Sequence, residues 1–315
     1  MVKNILVAGG AGYIGSICVK RLVEEGYGVF VVDNLSKGKK DLVDSKAELF
    51  VGDINNYDFL NDVFSKVKFD AVIHFAALKD AGESMFEPVK YSDNAISTIN
   101  ILKAMTQFGV KKIIFSSSAA VYGESEKDVI SEEDECNPVN FYGFTKLEGE
   151  RFMEWYRKLG KLDYVALRYF NVAGDGGLNY IDPNAKNIFP IIGEAVAGIR
   201  DKVSVFGDDY DTRDGTCIRD YIHVVDLVEA HLLALELEGS HKINLGTSNG
   251  YTVKELIDAF SKVSGIQVPY EVVGRRKGDP ACLLASCTKA KELMGWEAKL
   301  GLDEMVRSTV DAYKK

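Results

Sequence analysis

Short apolar runs alternate with longer amphipathic stretches through the first half of the chain. The runs are rich in β-branched and aromatic residues and too short for helices, so they predict buried strands over residues 5–8, 29–32, 49–51, 71–75 and 112–116. The amphipathic stretches between them predict helices over residues 14–25, 58–66 and 95–108. This alternation predicts an α/β fold, a doubly wound parallel sheet of the Rossmann type with helices on both faces.

The pattern loosens after a further predicted strand at residues 165–169. Residues 171–187 are rich in Gly, Asn and Asp, which indicates a loop, and the remainder mixes short helices with short strands. We therefore expect a Rossmann domain over residues 1–170, with a return segment near 215–240. A smaller C-terminal α/β substrate-binding lobe is expected over residues 171–315.

The chain has 315 residues and a formal net charge of −9. Because a phosphate backbone is bound by clustered Lys and Arg, this balance argues against a nucleic-acid partner. The acid-rich stretch 124–135 is interpreted as a solvated loop. Five cysteines are scattered without a C-x-x-C pair, and four histidines are dispersed. We expect neither a metal site nor a disulfide framework, but reduced thiols in a cytoplasmic protein.

The N-terminus could pass for a secretory signal, because Lys3 precedes the apolar run Ile5–Val19. Glycines and a serine interrupt that run, and no small-residue cleavage site follows it. No other stretch is long and apolar enough to span a bilayer. We therefore favour a cytoplasmic protein without a membrane partner over a secreted one.

A glycine-rich turn follows the first predicted strand and precedes the first predicted helix. Its glycines fit two spacings, Gly9-x-x-Gly12-x-x-Gly15 and Gly10-x-Gly12-x-x-Gly15. Glycine there permits a tight turn and lets backbone N–H groups approach a pyrophosphate, which the helix N-terminus also favours. Asp33 ends the second predicted strand, where it can accept hydrogen bonds from a ribose diol and would repel a 2′-phosphate. The arrangement predicts a dinucleotide site that prefers NAD to NADP.

A serine, a tyrosine and a lysine carry the candidate chemistry. Ser118 lies at the end of the fifth predicted strand, the edge where open α/β sheets bind ligands. Tyr142 and Lys146 are four residues apart at the start of a helical stretch, so they share a face. An adjacent ammonium and a cationic nicotinamide would both lower the pKa of the phenol. Tyr142 is therefore a candidate base, and Ser118 a candidate proton relay.

With these motifs, the sequence resembles the extended short-chain dehydrogenase/reductase family and, within it, the nucleotide-sugar 4-epimerases. The resemblance covers essentially the whole chain. Besides the glycine turn and the Ser118, Tyr142 and Lys146 set, it is carried by residues 33–34, 52–54, 74–79, 116–123, 168–171, 219–224 and 276–279. Asp80 departs from the family pattern, which has a small residue there.

The resemblance implies two sets of binding residues. NAD would be bound by Gly9, Gly12, Tyr13, Ile14, Gly15, Asp33, Asn34, Asp53, Ile54, Phe75, Ala76, Ala77, Lys79, Asn94, Ser116, Tyr142, Lys146 and Phe170. The UDP-sugar would be bound by Ser118, Tyr142, Tyr169, Asn171, Asn187, Ile188, Phe206, Arg219, Tyr221, Arg276, Asp279 and Leu283. The second set suits UDP, because arginines bind a diphosphate bidentately, an aromatic ring stacks on uracil and a carboxylate binds ribose hydroxyls.

The implied activity is the reversible 4-epimerisation of UDP-galactose and UDP-glucose through a transient 4-ketose, with tightly bound NAD and a homodimeric assembly. Leu283 falls at the family's gate position beside the sugar. There an aromatic residue restricts the site, and a small residue admits N-acetylated sugars. Leucine is intermediate, so UDP-GlcNAc, UDP-GalNAc and UDP-glucuronate remain alternative substrates.

Two other functions are weaker. The related dehydratases carry Asp-Glu after the active-site serine or threonine, where this chain has Ala119 and Ala120, which cannot transfer protons. An NAD-sensing or scaffold protein that had lost catalysis would usually lack the tyrosine or the lysine. Both residues are present here, which favours an enzyme.

Overall fold

The structure, a computed structural model, describes residues 3–125, 127–180, 186–276 and 279–314. Its strands are β1 (Asn4–Ala8), β2 (Gly28–Asp33), β3 (Glu48–Val51), β4 (Ala71–His74), β5 (Lys112–Ser118), β6 (Val129–Ile130), β7 (Asp163–Tyr169), β8 (Asn171–Ala173), β9 (Val203–Phe206), β10 (Ile218–His223), β11 (His241–Leu245), β12 (Gly250–Thr252), β13 (Tyr270–Val273) and β14 (Cys282–Ala285). Its helices are α1 (Tyr13–Glu24), α2 (Tyr57–Lys66), α3 (Ala81–Ser84), α4 (Pro88–Tyr91), α5 (Asp93–Phe108), α6 (Phe141–Lys158), α7 (Ile188–Val196), α8 (Val224–Glu236), α9 (Val253–Ser264), α10 (Thr288–Met294) and α11 (Leu302–Tyr313).

The strands and helices predicted for the first half are confirmed, with ends that differ by one or two residues. The short helices α3 and α4 were not predicted, because four residues are too few to show a helical period. The predicted loop at 171–187 begins with β8, and its residues 181–185 lie outside the described ranges.

The chain divides into two compact units. The first contains the residues up to Gly123, Glu135–Arg168 and Val228–Ile243, and the second contains the rest. Residues 124–134 therefore belong with the second unit, although they lie within the first half of the chain. The assignment of the two units to cofactor and substrate stays a prediction at this point.

The largest sheet has seven strands in the order β3–β2–β1–β4–β5–β7–β11. β1 pairs in parallel with both β2 and β4, and the β2–β3 and β4–β5 pairs are also parallel. This is the Rossmann-type arrangement that the sequence predicts. The order reverses beside β1, and a doubly wound sheet binds ligands at the carboxyl ends of the strands flanking such a switch point.

The central strands of this sheet are mostly apolar and mostly buried because both of their faces are covered. Leu6 of β1 and Val72 of β4 are fully buried in a core shared with Leu60 of α2, Ile101 of α5 and Met153 of α6. Helices on the sheet are therefore anchored by apolar contacts. The polar residues that follow the strands gather at the carboxyl edge.

The second unit contains a sheet with the order β12–β10–β14–β6, in which β8 also pairs with β10. Its core is formed by α7, α9 and α11, where the rings of Phe189 and Phe260 meet edge to face at 5.5 Å. β6 lies in the stretch 124–135, and its Ile130 is fully buried. The interpretation of that stretch as a solvated loop is therefore wrong for β6. This short strand consists of only two apolar residues, which lie among many acidic ones.

Within the described residues, no helix is both long enough and apolar enough to cross a membrane.

Candidate active site

The glycine turn between β1 and α1 contains glycines of two kinds. A Cβ atom on Gly9 would lie 2.6 Å from the backbone nitrogen of Ala76, and one on Gly15 would lie 2.1 Å from the carbonyl oxygen of Gly9. The fold itself therefore requires glycine at these two positions. Gly12 differs, because a Cβ there would meet only the Gly9 oxygen, at 3.4 Å, among the described residues within 4 Å. An open place at the start of α1, bounded by backbone, suits a pyrophosphate group.

Asp33 at the end of β2 fixes the glycine turn and can still accept hydrogen bonds from a ligand. One carboxylate oxygen accepts a hydrogen bond from the backbone nitrogen of Ala11 (3.0 Å), and the other from that of Leu35 (2.8 Å). Each carboxylate oxygen can accept two hydrogen bonds, so both can still accept from a ribose diol. Asn34, next in sequence, donates to Asp53 at 3.4 Å, which brings these predicted NAD residues together.

Asn94 of α5 fixes the segment that follows β4. Its amide exchanges hydrogen bonds with the backbone nitrogen (2.8 Å) and oxygen (3.0 Å) of Leu78, and it also donates to Thr145. The segment continues through the exposed Lys79 to Asp80, whose side chain accepts from the nitrogen of Glu83 and caps α3. The departure at Asp80 is thereby explained as a helix cap.

The remaining predicted NAD residues lie at the start of α1 or directly after strands of the same sheet. Tyr13 and Ile14 form the first turn of α1, Ile54 follows β3, and Phe75, Ala76 and Ala77 follow β4. Phe170 lies in the second unit, where its backbone nitrogen donates to the carbonyl of Leu245.

Ser118, Tyr142 and Lys146 are brought together by β5 and α6. Helix α6 begins after Asn140, whose side chain accepts from the nitrogen of Gly143 at 2.8 Å. The Lys146 ammonium donates to the carbonyl oxygen of Ser116 at 2.7 Å and lies 5.9 Å from the centre of the Tyr142 ring. The Ser118 side chain lies near enough to the Tyr142 phenol to influence its ionisation. The predicted serine, tyrosine and lysine thus form one cluster.

Burial governs the ionisation of this cluster in the protein chain alone. It raises the pKa of the Tyr142 phenol, and the nearby Ser118 opposes that rise. Burial also lowers the pKa of Lys146 to about 7. In the chain by itself the pKa of the phenol is therefore raised and not lowered, because desolvation dominates. A cationic nicotinamide beside the phenol would act in the opposite direction.

Two residues that support Tyr142 were missed in the sequence. Ser84, the last residue of α3, accepts a hydrogen bond from the backbone nitrogen of Tyr142 at 3.1 Å. Thr145 donates to the carbonyl of Tyr142 at 2.8 Å while accepting from Asn94. Ser84 gave no signal because α3 itself was not predicted, whereas Thr145 lies inside the Tyr142–Lys146 motif.

The predicted UDP residues lie in the second unit, except Ser118 and Tyr142. Arg219 of β10 pairs with Asp279 at 2.5 Å and donates to the carbonyl of Pro280. The guanidinium of Arg276 lies 3.8 Å from the centre of the Phe206 ring. These four predicted residues therefore contact one another in pairs, with both arginine charges in favourable surroundings.

The other predicted substrate residues are distributed over β7, β8, β10, β14 and the start of α7. Tyr221 is buried, Asn171 donates to the carbonyl of Asp220 at 3.0 Å, and Leu283 pairs with Arg219 in the β10–β14 register. Asn187 and Ile188 form the start of α7, and Tyr169 ends β7. Lys277 and Gly278 of the 276–279 motif lie outside the described residues. No group of His, Cys, Asp and Glu able to hold a metal occurs in the described part of the chain.

Comparison with known proteins agrees with this fold. The sequence model of the NAD dependent epimerase/dehydratase family matches residues 5–246. The UDP-glucose 4-epimerase of Lacticaseibacillus casei is 46% identical over 302 residues, which are 93% of this chain and 91% of that protein. The chain therefore belongs to the NAD dependent epimerase/dehydratase family.

Two solved structures show the same fold over nearly the whole chain. UDP-glucose 4-epimerase from Brucella ovis in complex with NAD has a TM-score of 0.96 and 40% identity, covering 99% of this chain and 98% of that one. UDP-glucose 4-epimerase from Bifidobacterium longum in complex with NAD+ and UDP has a TM-score of 0.91 and 38% identity, covering 98% of each chain.

The open place at Gly12 generates a prediction about cofactor binding. Gly12→Ala should fold as the wild type does, since the backbone φ of −82° suits alanine, but it should bind NAD at least roughly tenfold more weakly because the methyl group takes the place of the pyrophosphate. Calorimetric titration of the NAD-stripped protein measures the affinity.

Gly301→Ala is the matched control. Gly301 also precedes a helix, has a φ of −89°, and its Cβ would meet only Glu304, at 3.4 Å, among the described residues within 4 Å. This variant should bind NAD normally. Equal NAD affinities for Gly12→Ala and Gly301→Ala would contradict the cofactor role of the turn.

Proposed function

We propose that this protein interconverts UDP-galactose and UDP-glucose by reversible 4-epimerisation, with NAD tightly bound. The observation that carries the proposal is the cluster of Ser118, Tyr142 and Lys146 at the carboxyl end of β5. It lies on a Rossmann-type sheet whose glycine turn leaves room for a pyrophosphate at Gly12. The epimerases named above, at about 40% identity over nearly the whole chain, support the same activity.

The roles of the cluster follow from its hydrogen bonds. Tyr142 removes the proton from the sugar 4-hydroxyl and returns it to the same oxygen when the opposite face of the 4-ketose is reduced, while Ser118 beside the phenol shares that proton. Lys146, held by the Ser116 carbonyl, supplies positive charge beside the phenolate. NAD, when bound, accepts and returns a hydride. Because the net redox change is zero, the cofactor is used catalytically.

The second unit provides the binding chemistry for the nucleotide. Arg219 and Arg276 bind the diphosphate, Asp279 binds ribose hydroxyls, and Phe206 stacks on uracil. In the structure, Arg219 pairs with Asp279 and Arg276 covers the Phe206 ring. UDP therefore replaces contacts within the protein, and each arginine exchanges one favourable partner for another.

We also propose a homodimer formed through the helices of the first unit. Large apolar side chains are exposed on and around α4, α5 and α6, including Phe86, Val89, Ile96, Phe144 and Trp155. Exposed apolar surface of this extent is typical of an interaction site. A cytoplasmic location, expected from the cysteine pattern, stays a prediction.

Tyr142→Phe tests the activity. Wild-type protein given UDP-galactose without added NAD should form UDP-glucose, which is measured with a dehydrogenase and NAD after the reaction has been stopped. The variant should be slower by roughly a hundredfold or more because the base is lost. Tyr27→Phe is the control, since it removes the hydroxyl of a half-buried tyrosine of the same unit that bonds only to Glu236 among the hydrogen bonds described. Wild-type silence even with NAD added would refute the proposal.

Leu283 generates a prediction about the sugar. A smaller residue, as in Leu283→Cys, should raise the turnover of UDP-GlcNAc relative to UDP-glucose by about tenfold, and Leu283→Tyr should lower it, because the acetamido group needs room. Competition assays with both sugars measure the ratio of kcat/KM. An unchanged ratio in both variants would place the gate elsewhere.

The dimer is tested by placing a charge in the exposed patch. Val89 is 85% exposed, so Val89→Asp should leave the folded chain intact and produce a monomer, because the interface would bury an unpaired carboxylate. Ile199→Asp is the control, at a 70% exposed apolar residue of the second unit. Sedimentation velocity should show wild type and Ile199→Asp as dimers; a monomeric wild type would overturn the proposal.

A further inference from the structure

A buried polar network lies behind the cluster of Ser118, Tyr142 and Lys146. Successive residues of β5 point to opposite faces of the sheet. Ser117, which precedes Ser118, therefore points to the opposite face from Ser118 and is fully buried. The Ser117 hydroxyl donates to a carboxylate oxygen of Glu150 at 2.6 Å.

Glu150 is one half of a buried ion pair with Arg168. The Arg168 guanidinium donates from Nε at 2.9 Å and from Nη2 at 2.6 Å to the two carboxylate oxygens, and both side chains are almost completely removed from solvent. Glu150 lies on α6, four residues after Lys146 and eight after Tyr142, so the three side chains share one side of the helix. The ion pair is therefore attached to the helix that carries the base.

Arg168 also contacts Tyr122, which follows Ser118 in the sequence, whereas Ser117 precedes it. Its Nη1 donates to the Tyr122 hydroxyl at 2.9 Å, and the guanidinium lies 4.9 Å from the centre of the Tyr122 ring. Tyr122 follows the single helical turn Ala119–Val121, which begins where Ser118 accepts from the nitrogen of Ala120. Ser117 and Tyr122 thus tie both flanks of Ser118 to one rigid ion pair.

Stability alone does not account for such a network. Removing two charges from water costs several kcal/mol per ion, and a well-packed apolar pair of the same volume is often as stable or more so. What a bidentate pair provides is fixed geometry, because the planar guanidinium accepts only a narrow range of carboxylate orientations. A fixed geometry matters where a proton passes between Ser118 and Tyr142.

We propose that the network of Glu150, Arg168, Ser117 and Tyr122 positions Ser118 against Tyr142. It fixes the position of the Ser118 hydroxyl relative to the Tyr142 phenol by locking the end of β5 to α6. The four members are positioning residues, since none of them belongs to the predicted binding sets. The proposal rests on the proposed epimerase function for its kinetic consequence, but its structural consequence can be measured without turnover.

Other ionisable groups lie near the network, and their pKa values could also change if the network were lost. Lys242 lies 4.0 Å from Glu150, and Cys136 and Tyr164 also interact with the pair electrostatically. On the other side, His74 faces Lys146. None of these groups is removed by the variants below.

Ser117→Ala and Tyr122→Phe are the informative variants, because each deletes one hydroxyl and leaves the ion pair whole. Either should lower kcat roughly tenfold and leave KM for UDP-galactose within about a factor of two, since a displacement of Ser118 affects the chemical step more than binding. Ser97→Ala, which deletes another buried serine hydroxyl, on α5, should leave kcat unchanged because Ser97 donates only to the carbonyl of Asn94, within its own helix.

Titration of Tyr142 separates positioning from a merely structural role. In protein labelled with 13C at the tyrosine Cζ, the resonance missing from Tyr142→Phe belongs to Tyr142. Because Ser118 acts to lower the pKa of Tyr142, a displacement of Ser118 in Ser117→Ala should raise that pKa. A structural role would lower the melting temperature and leave this titration as in the wild type.

The outcomes are distinguishable. Wild-type kcat and an unmoved Tyr142 titration in both variants would overturn the positioning role. A wild-type protein that does not act on UDP-galactose would refute the proposed function, while the titration would still decide whether the network positions Tyr142.

Discussion

The hydrogen bond from the Lys146 ammonium to the Ser116 carbonyl joins helix α6 to the end of strand β5, and the candidate chemistry depends on this junction. A buried ammonium is costly in an apolar interior, so its partner must be held in place. The parallel sheet does this, because β5 is paired with β4 and buried along its length. Tyr142 lies one turn before Lys146 and Ser118 lies two residues after Ser116, so one junction aligns both hydroxyls.

Polar groups around this junction are bound in pairs, and the same holds in the second unit. Asn94 forms hydrogen bonds with the backbone that follows β4, and Ser84 accepts one from the backbone nitrogen of Tyr142. Glu150 forms an ion pair with Arg168. In the second unit, Arg219 already has Asp279 as a partner. A charged ligand group bound at such a site would exchange one partner for another and would not have to compensate for an unpaired charge.

The predictable parts of the site are those that lie within a single strand, turn and helix. Gly9, Gly12 and Gly15 are spaced by the geometry of one turn, and Tyr142 and Lys146 by the period of one helix. The supporting residues have no such local signature. Ser84 meets Tyr142 across 58 residues of sequence, and Ser117 meets Glu150 across 33, so their hydroxyls cannot be told from ordinary serines before the chain folds.

The sequence by itself determined the class of fold, the dinucleotide turn and the identity of the serine, tyrosine and lysine, because each rests on a short-range period or spacing that backbone geometry imposes. Only the tertiary structure decided that β6 belongs to the second unit, that Asp80 caps a helix, and that burial raises the pKa of Tyr142. These depend on which groups are removed from water and which distant groups meet them. Desolvation and long-range pairing are properties of the folded chain, and no local pattern encodes them.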